Sequence, residues 1–370
     1  MADTDPKYRQ VIEWVKENIA AGHFKPGDRL MSEAELSAKF GLSRQTIRHA
    51  TGELANEGLV TRVRGSGTYI GGALQPRVRE HRFQTIAVVS TFYESYIFPP
   101  TLKGIERVLS KAGYSMQVSF TDNKITREEA ILKTLLEKDN VDGLIVEPAK
   151  SALPNPNVRY YRELLRTGIP VLCFNAFYPD LDVPCVRIDD AGISGKAADL
   201  LIDAGHRKIA GIFKSDDGQG KLRYQGYLET LLGRGIPFNE KNVVWIDTTD
   251  YRDLSAVADN LFRRIADCTG VVCYNDEVAY QVIDLALKRD MRIPDDLSVV
   301  GIDDSYLGGV SRVPFTSFPH PKELLGKKTA ENMLQMISNP DFDGNYLFDS
   351  EPVRRESIRR IITNGISAES

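Results

Sequence analysis

Two arginines and a glutamine, Arg44, Gln45 and Arg48, lie close together in a segment with helical periodicity. Ile47 and Leu54 are seven residues apart, so they share one face of this helix and leave the three polar side chains on another. Arginine can pair with guanine, and glutamine with adenine, through two hydrogen bonds each, and arginine also binds phosphate. The segment therefore predicts a helix that reads base edges in the major groove of DNA.

The residues before this helix contain the signals of a second helix and a tight turn. Residues 33–40 have the apolar spacing of a short helix, and Ser32 with Glu35 three positions later forms a capping box. Gly41 can end that helix in the left-handed conformation, and Ser43 is a good N-cap for the next one. Two helices joined in this way predict a helix-turn-helix.

The segment after the predicted reading helix has the pattern of a β-hairpin. Residues 59–63 and 68–70 favour strands, and a glycine-rich turn with Arg64 and Gly65 joins them. A narrow hairpin carrying an arginine fits the minor groove, where the electrostatic potential is negative. An amphipathic helix over residues 7–21 precedes the helix-turn-helix.

Residues 6–70 resemble the winged helix of GntR-type bacterial regulators. The resemblance is carried by the runs LSRQTIR and GSGTY and by the EGL between them. It implies a winged helix-turn-helix domain that binds operator DNA. The positions that match the family's DNA contacts are Lys7, Arg44, Gln45, Arg48, Arg64 and Gly65.

Composition limits the remaining possibilities. The 370 residues carry a net charge of −4 and are 42% hydrophobic, so we expect two or three folded domains rather than a uniformly basic nucleic-acid binder. Basic residues are concentrated in the first seventy positions. No apolar run approaches the roughly 20 residues of a membrane span, and we expect a cytoplasmic protein with no membrane partner. The four cysteines form no C-x-x-C pair, which favours buried free thiols.

From residue 85 onward the sequence alternates between strands and helices, after a linker predicted at residues 72–84. Such alternation is typical of parallel sheets covered on both faces, and this length suits two α/β lobes. The predicted strands are residues 86–90, 116–120, 143–147, 170–174, 186–188, 209–213, 243–246, 271–274 and 299–302. The clearest helical stripes are residues 104–112, 191–204, 223–233, 254–265 and 276–289.

Polar residues gather where these strands end, and ligands of open α/β sheets bind beyond the carboxyl ends of the strands. Carboxylates and amides can pair with hydroxyl groups, a Lys or Arg can hold them, and an aromatic ring can cover the C–H face of a sugar. This mixture predicts a site for a neutral polyol. Side chains that contribute to it are Tyr96, Phe98, Glu147, Lys150, Asn175 and Asp189.

The second part of the chain resembles the effector domain of LacI/GalR regulators, which is similar in fold to periplasmic sugar-binding proteins. The resemblance is carried by LRYQGY, CYNDEVA and IPDDLSVVGIDDS, and it adds Arg223, Asn275 and Asp303 to the effector residues. The two resemblances imply an α/β chain with a winged helix-turn-helix (α+β) domain at residues 1–71. A two-lobed, periplasmic-binding-protein-like effector and dimerisation domain follows at residues 85–370.

A GntR-type reader joined to a LacI-type sensor resembles the arabinose-responsive repressors. This resemblance implies a homodimer that binds operator DNA and is released by L-arabinose. A regulator of the same build that responds to another sugar or to a nucleoside stays open. The sequence contains no G-x-G-x-x-G after a strand, no P-loop, no G-x-S-x-G and no His/Cys metal cluster. We therefore expect no enzyme activity, no cofactor and no metal ion.

Overall fold

The N-terminal domain contains the predicted helix-turn-helix and wing. The computed structural model describes residues 8–25, 27–63, 67–71 and 83–361. The domain's elements are α1 (Arg9–Ala20), α2 (Glu33–Phe40), α3 (Arg44–Asn56), β1 (Val60–Val63) and β2 (Gly67–Ile70). The two strands pair antiparallel, as a wing requires. Lys7, Arg64, Gly65 and residues 72–82 of the predicted linker lie outside the described residues.

The turn between α2 and α3 forms through the local interactions that the sequence predicts. Ser32 and Glu35 make the capping box at the start of α2, and Gly41 ends the helix at φ 64°. The Ser43 hydroxyl accepts a 3.1 Å hydrogen bond from the backbone N–H of Thr46 and caps α3. These interactions fix the angle at which α3 leaves the turn, and therefore the face that it presents.

The remaining described residues form two α/β lobes. The first lobe begins with β3 (Thr85–Ser90), α4 (Phe98–Lys111), β4 (Ser115–Phe120), α5 (Ile125–Lys138), β5 (Gly143–Val146), α6 (Val158–Arg166), β6 (Val171–Phe174) and β7 (Cys185–Ile188). The second lobe follows with α7 (Asp190–Asp203), β8 (Ile209–Lys214), α8 (Gly218–Gly233), β9 (Val243–Ile246), α9 (Thr248–Arg252), α10 (Ala258–Ile265), β10 (Gly270–Cys273), α11 (Asp276–Leu287), β11 (Ser298–Asp303), α12 (Leu307–Val310) and β12 (Thr316–Pro319). The chain then returns to the first lobe with α13 (Lys322–Ser338) and β13 (Tyr346–Phe348).

Both sheets are parallel throughout. The first lobe has the strand order β13-β7-β6-β5-β3-β4, and the second has the order β12-β11-β10-β8-β9. Apolar side chains on both faces of each sheet are buried, as expected for strands covered by helices on two sides. The α/β class and the nine predicted strands are therefore confirmed.

Two parts of the prediction differ from the structure. Two strands, β12 and β13, had no counterpart in the predicted set. The predicted helix over residues 254–265 is divided, because Leu254–Val257 is a 3-10 turn and α10 begins at Ala258. In the structure the chain crosses between the lobes three times, after β7, after β12 and after β13, where Val353 pairs with Ser317 of β12. The first lobe is therefore built from two separate stretches of sequence.

Helices α4 and α13 pack against each other through glycine. A Cβ atom on Gly104 would lie 2.2 Å from the backbone oxygen of Glu323, and one on Gly326 would lie 2.0 Å from that of Thr101. Only glycine allows backbones to approach this closely. This contact joins the late helix α13 to the early part of the first lobe.

The four cysteines are buried free thiols, as predicted from their spacing. Burial raises the pKa of Cys268 to about 11 and raises the pKa of the other three thiols as well. Within the described residues, the helices are too short or too polar to cross a bilayer. The same part of the chain contains no cluster of three His, Cys, Asp or Glu side chains arranged for a metal ion.

Candidate functional site

The exposed face of α3 carries the three side chains that the sequence assigned to base contacts. Ile47 and Leu54 are fully buried, while Arg44, Gln45 and Arg48 are exposed. Arg44 and Gln45 lie in the first turn, at the positive end of the helix dipole, where phosphate is favoured. The geometry can present two arginines and an amide to one groove.

Arg48 is held by an ion pair within the domain. Its guanidinium donates a 3.0 Å hydrogen bond to Glu33 Oε2 at the start of α2. Both side chains are at the surface, where ion pairs contribute little to stability and are screened by salt. A DNA phosphate or base can therefore compete with Glu33 for Arg48.

Arg62 connects the wing to the reading helix, a role that its sequence context did not indicate. From β1, its guanidinium donates a 2.9 Å hydrogen bond to the backbone oxygen of Arg48, and it also contacts Thr51 Oγ1. The wing strand is thereby fixed to α3. Sequence reasoning could count this arginine only as local positive charge, because the contact depends on the tertiary packing of β1 against α3.

A cavity of about 410 Å³ lies between the two lobes of the second domain. Its volume falls within the roughly 300–1,000 Å³ of small-molecule sites. The first lobe contributes Thr91, Phe92, Glu94, Ser95, Ile97, Phe98, Asn123, Glu147, Pro148, Ser151, Asn175 and Ala176 to its wall. The second lobe contributes Lys214, Asp217, Gln219, Tyr251, Arg252, Tyr274, Asn275 and Glu277.

Four of the nine predicted effector residues line this cavity, namely Phe98, Glu147, Asn175 and Asn275. Glu147 accepts hydrogen bonds from the Thr91 N–H at 3.2 Å and from Asn175 Nδ2 at 3.1 Å. Burial raises the pKa of the Glu147 carboxyl to about 7. This carboxyl can therefore exchange a proton near neutral pH, and it can donate or accept a hydrogen bond towards a hydroxyl group.

Lys214 supplies a positive charge from the opposite wall. Its ammonium group lies 3.0 Å from Asp217 Oδ2 and 3.4 Å from Asp216 Oδ1. Burial lowers the pKa of Lys214, but these carboxylates outweigh that effect and the pKa is raised above its usual value. The rings of Phe92 and Tyr251 lie 5.9 and 5.5 Å from the ammonium group. Polar groups beside aromatic faces suit a ligand with hydroxyl groups and a C–H face.

Two more of the predicted residues, Arg223 and Asp303, meet in a buried network beside the cavity. Arg223 Nε donates a 2.9 Å hydrogen bond to Asp190 Oδ1, and its guanidinium also donates to the backbone oxygen of Tyr274. Asp303 Oδ1 lies 3.7 Å from Arg223, and Asp303 Oδ2 accepts a 2.7 Å hydrogen bond from the Tyr96 hydroxyl. Burial raises the pKa of Asp190 to about 6. The network connects the cavity wall to the region where the chain crosses between the lobes.

Asp189 and Lys150 are the last of the predicted residues, and both contact protein groups. Asp189 Oδ1 accepts a 3.0 Å hydrogen bond from the Gly192 N–H and caps α7. The Lys150 ammonium, in the first lobe, pairs with Asp216 of the second. The geometry thus brings four predicted residues to the cavity, while five (Tyr96, Lys150, Asp189, Arg223 and Asp303) contact groups beside it. Their roles with an effector stay predictions.

Sixteen of the twenty residues of the cavity wall were not among the predicted effector residues, and Asn123, Tyr251, Arg252 and Glu277 are four of them. Asn123 follows the carboxyl end of β4, so the rule that found Asn175 could also have found it. Tyr251 and Arg252 belong to the short helix α9, which carries no apolar stripe that would mark its direction. Glu277 lies one residue inside α11, where helical geometry alone does not indicate which acidic residue faces the cleft.

Comparison with known proteins gives two family matches. Residues 7–70 match the model described as bacterial regulatory proteins of the gntR family, and residues 198–358 match a periplasmic binding protein-like domain. The first match covers the helix-turn-helix and the wing. The second covers most of the second lobe together with α13 and β13.

Two curated relatives match along nearly the whole chain. An arabinose metabolism transcriptional repressor of Halalkalibacterium halodurans is 37% identical over 339 residues, which are 90% of each chain. A repressor of the same name from Geobacillus stearothermophilus is 35% identical over 364 residues, which are 97% of this chain and 99% of the relative. Among solved structures, transcription regulator CcpA of Lactococcus lactis has a TM-score of 0.67 at 26% identity, over 75% of this chain and all of that one.

Proposed function

Because the chain belongs to the family of arabinose metabolism transcriptional repressors, we propose that L-arabinose is the effector that binds between its lobes and weakens its binding to operator DNA. The family consists of DNA-binding repressors rather than enzymes, and the chain carries the gntR-type reader and the effector domain that this function needs. Beyond membership of this family, we propose that the effector is L-arabinose, that it releases the protein from DNA, and that the protein is a homodimer.

The cavity carries the proposal, because both lobes contribute polar groups to it. Glu147 and Asn175 come from the first lobe, and Lys214 and Asn275 come from the second. A sugar can form hydrogen bonds with the residues of both lobes at the same time only when the lobes are close together. It therefore binds one conformation better than the other, which is the condition for a ligand to shift a conformational equilibrium.

The same cavity gives a reason for selectivity among pentoses. A buried donor or acceptor that loses its partner costs about 1–3 kcal/mol, so a sugar with one hydroxyl group in the wrong orientation binds much less well. We expect L-arabinose to bind and to release DNA, and D-arabinose and D-ribose to do so far less.

A homodimer is the second part of the proposal. One reading helix covers only a few base pairs, whereas two related by a twofold axis double the contacts on a palindromic operator. Tyr306 and Val310, at α12, are 69% and 67% exposed, and Tyr280 of α11 is also exposed. We infer that these side chains form part of the contact between two copies. Closure of the lobes would then change the separation of the two DNA-binding domains.

The test uses the full-length protein and a DNA duplex that the protein has selected from a random pool. Titration calorimetry and gel shifts would be performed with L-arabinose, D-arabinose and D-ribose. The expected result is binding heat and loss of the DNA complex with L-arabinose. Absence of both would exclude L-arabinose as the effector. Heat and release with another sugar or a nucleoside would identify that compound instead, and repressor function would stand in either case.

A further inference from the structure

Three consecutive residues of the first lobe contact the second lobe. The Lys150 ammonium pairs with the Asp216 carboxylate, Ser151 Oγ accepts a 2.9 Å hydrogen bond from the Gly218 N–H, and the Ala152 backbone oxygen accepts one from the Lys221 ammonium. The three second-lobe partners lie between the end of β8 and the first turn of α8. We call residues 149–155, which follow β5, the latch loop.

A neighbouring set of contacts joins the same two regions. Asn123 Nδ2 of the first lobe donates a 2.8 Å hydrogen bond to Thr248 Oγ1 of the second, and Thr248 Oγ1 donates a 2.6 Å hydrogen bond to Asp216 Oδ2. Asn123 Oδ1 in turn accepts a 2.7 Å hydrogen bond from the Lys150 N–H. Asp216 is therefore the common acceptor of both sets of contacts.

The latch loop is fixed to its own lobe by Glu128 of α5. This carboxylate is fully buried, and each of its hydrogen bonds comes from a neutral donor. The donors are the Ala149 N–H at 3.0 Å, Asn155 Nδ2 at 3.0 Å, Asn157 Nδ2 at 2.8 Å, the Tyr161 hydroxyl at 2.7 Å and the Tyr178 hydroxyl at 2.9 Å. Two of these donors, Ala149 and Asn155, belong to the latch loop, so the loop is bonded to α5 and moves with the first lobe. Separation of the lobes must then break its contacts with the second lobe.

The latch lies at the margin of the effector cavity. Ser151, Asn123 and Asp217 belong to the cavity wall, whereas the ammonium group of Lys150 is directed to Asp216. The Asp216 side chain is only 6% exposed and that of Lys150 is 27% exposed, so the ion pair is better shielded from water than most surface pairs. These contacts therefore have to open before a bound effector can dissociate through this side of the cavity.

We propose that Lys150 and Asp216 form a latch between the lobes, which holds the cleft closed and sets how long an effector stays bound. Both are positioning residues, since they act through the position of the lobes and not through contact with the effector. The proposal rests on the cavity being the effector site. The latch favours the closed conformation even when no effector is bound. It therefore raises the fraction of molecules in the conformation that holds the effector, and with it the apparent affinity of the protein for the effector.

A double-mutant cycle tests the latch with L-arabinose as the probe. The variants are Lys150→Met, Asp216→Asn and both together, and the dissociation rate of the sugar is measured by stopped flow. Each single change should raise this rate about tenfold, which is the effect of losing one charged hydrogen bond. The double change should raise it no further than Asp216→Asn does alone, because Asp216 also pairs with Lys214 and either change already breaks the pair of Lys150 and Asp216.

The control is Lys133→Met, which removes an ion pair with Glu129 that lies within α5. It should leave the dissociation rate unchanged. A direct contact between Lys150 and the sugar predicts a different pattern, in which Lys150→Met weakens binding and Asp216→Asn does not. That pattern, or full additivity in the double variant, would overturn the proposal.

A second measurement needs no sugar and therefore separates the latch from the identity of the effector. Thr126→Cys on α5 and Ala256→Cys before α10 place spin labels on exposed positions in the two lobes. The four native cysteines are buried, so the labels attach to the introduced ones.

In the sugar-free protein, Lys150→Met and Asp216→Asn should shift the distribution of label distances to longer values, and Lys133→Met should not. Lys150 is partly exposed, so its substitution is the safer of the two for folding. Unchanged distances in a folded Lys150→Met protein would overturn the latch, even if L-arabinose proves not to be the effector.

Discussion

The Tyr96 hydroxyl donates a 2.7 Å hydrogen bond to Asp303 Oδ2, and this bond joins a loop of the first lobe to the end of β11 in the second. Asp303 is fully buried and has Arg223 as its nearest charged partner at 3.7 Å. Burial raises the pKa of both Tyr96 and Asp303. The bond is therefore a contact between the lobes in which the acceptor is fully buried and the donor is half-buried.

Tyr96→Phe should destabilise the closed protein even without an effector. The substitution leaves Asp303 Oδ2 without this donor, and an unsatisfied buried acceptor costs about 1–3 kcal/mol. Thermal unfolding of the sugar-free protein measures the effect. Tyr93→Phe is the matched control, since the Tyr93 ring is 60% exposed. An unchanged melting temperature in Tyr96→Phe would show that the bond between Tyr96 and Asp303 does not stabilise the closed protein.

Arg223→Met should destabilise the effector domain strongly. The substitution leaves Asp190 with a buried charge that has no partner. We expect the free energy of unfolding to fall by about 3–5 kcal/mol. Asp190→Asn in the same chain should restore much of this loss, because the second change removes the charge that the first one stranded. Chemical unfolding of the two variants measures both effects. A double variant as unstable as Arg223→Met would show that Arg223 mainly stabilises Asp303.

Arg48→Ala should weaken DNA binding, whereas Glu33→Gln should not. Loss of a base or phosphate contact by Arg48 should weaken operator binding about tenfold to a hundredfold. Glu33→Gln keeps the size of the side chain but removes the charge that competes for Arg48, so binding should be equal or tighter. Fluorescence anisotropy at two salt concentrations measures both. Wild-type affinity in Arg48→Ala would exclude a DNA contact by this residue.

The stability of the effector domain should fall between about pH 5 and pH 8 because of Glu147. Burial raises the pKa of its carboxyl above the usual value to about 7, so the folded state binds more protons than the unfolded chain across this range. The stabilisation that the protonated carboxyl provides is lost as the pH rises, by on the order of 3 kcal/mol for a shift of this size.

Glu147→Gln isolates this contribution. The free energy of unfolding of the variant minus that of the wild type should increase from pH 5 to pH 8. The difference cancels other groups that titrate in the range, such as buried His320, whose pKa burial lowers to about 3. Asp217, which faces Glu147 and raises its pKa, stays in both proteins. A difference that is constant with pH would show that Glu147 is ionised throughout.

Val310→Asp should weaken the proposed homodimer. A charge placed among the exposed side chains of α12 would be buried without a partner if two copies meet there. Light scattering over a range of protein concentrations should give a dimer for the wild type and a monomer for the variant. Leu232→Asp on α8 is the control, because Leu232 is similarly exposed at 59%. Equal molar masses for Val310→Asp and the wild type would show that the dimer interface does not include α12.

The sequence predicted most of the fold because the local signals agreed with the tertiary structure. The capping box at Ser32 and the apolar strands of both lobes are examples in which side-chain type alone decides the conformation. Strand β13 is different, since it has only three residues, Tyr346–Phe348, and is surrounded by residues typical of turns. It forms because β7 offers an open edge, and that information lies about 160 residues earlier in the chain.

The candidate site was predicted less completely. The rule that ligands bind at the carboxyl ends of strands predicted Glu147 and Asn175, and the LacI/GalR resemblance added Asn275, and all three line one cavity. It could not show that Lys150 is directed to Asp216, because that contact depends on how close the two lobes lie. The buried position of Arg223 beside Asp190 was also not predicted. It depends on how α7 packs against α8, and no local sequence pattern indicates that packing.

The two-part construction of the first lobe has a consequence for synthesis on the ribosome. Helix α13 and strand β13 belong to this lobe but come after the whole of the second lobe, and α13 has to meet α4 through Gly104 and Gly326. The DNA-binding domain is contiguous and is made first, and domains generally fold in the order of synthesis. The nascent chain therefore acquires a reader of DNA long before it acquires a sensor. A message cut short before residue 322 would encode a DNA-binding domain that no effector can control.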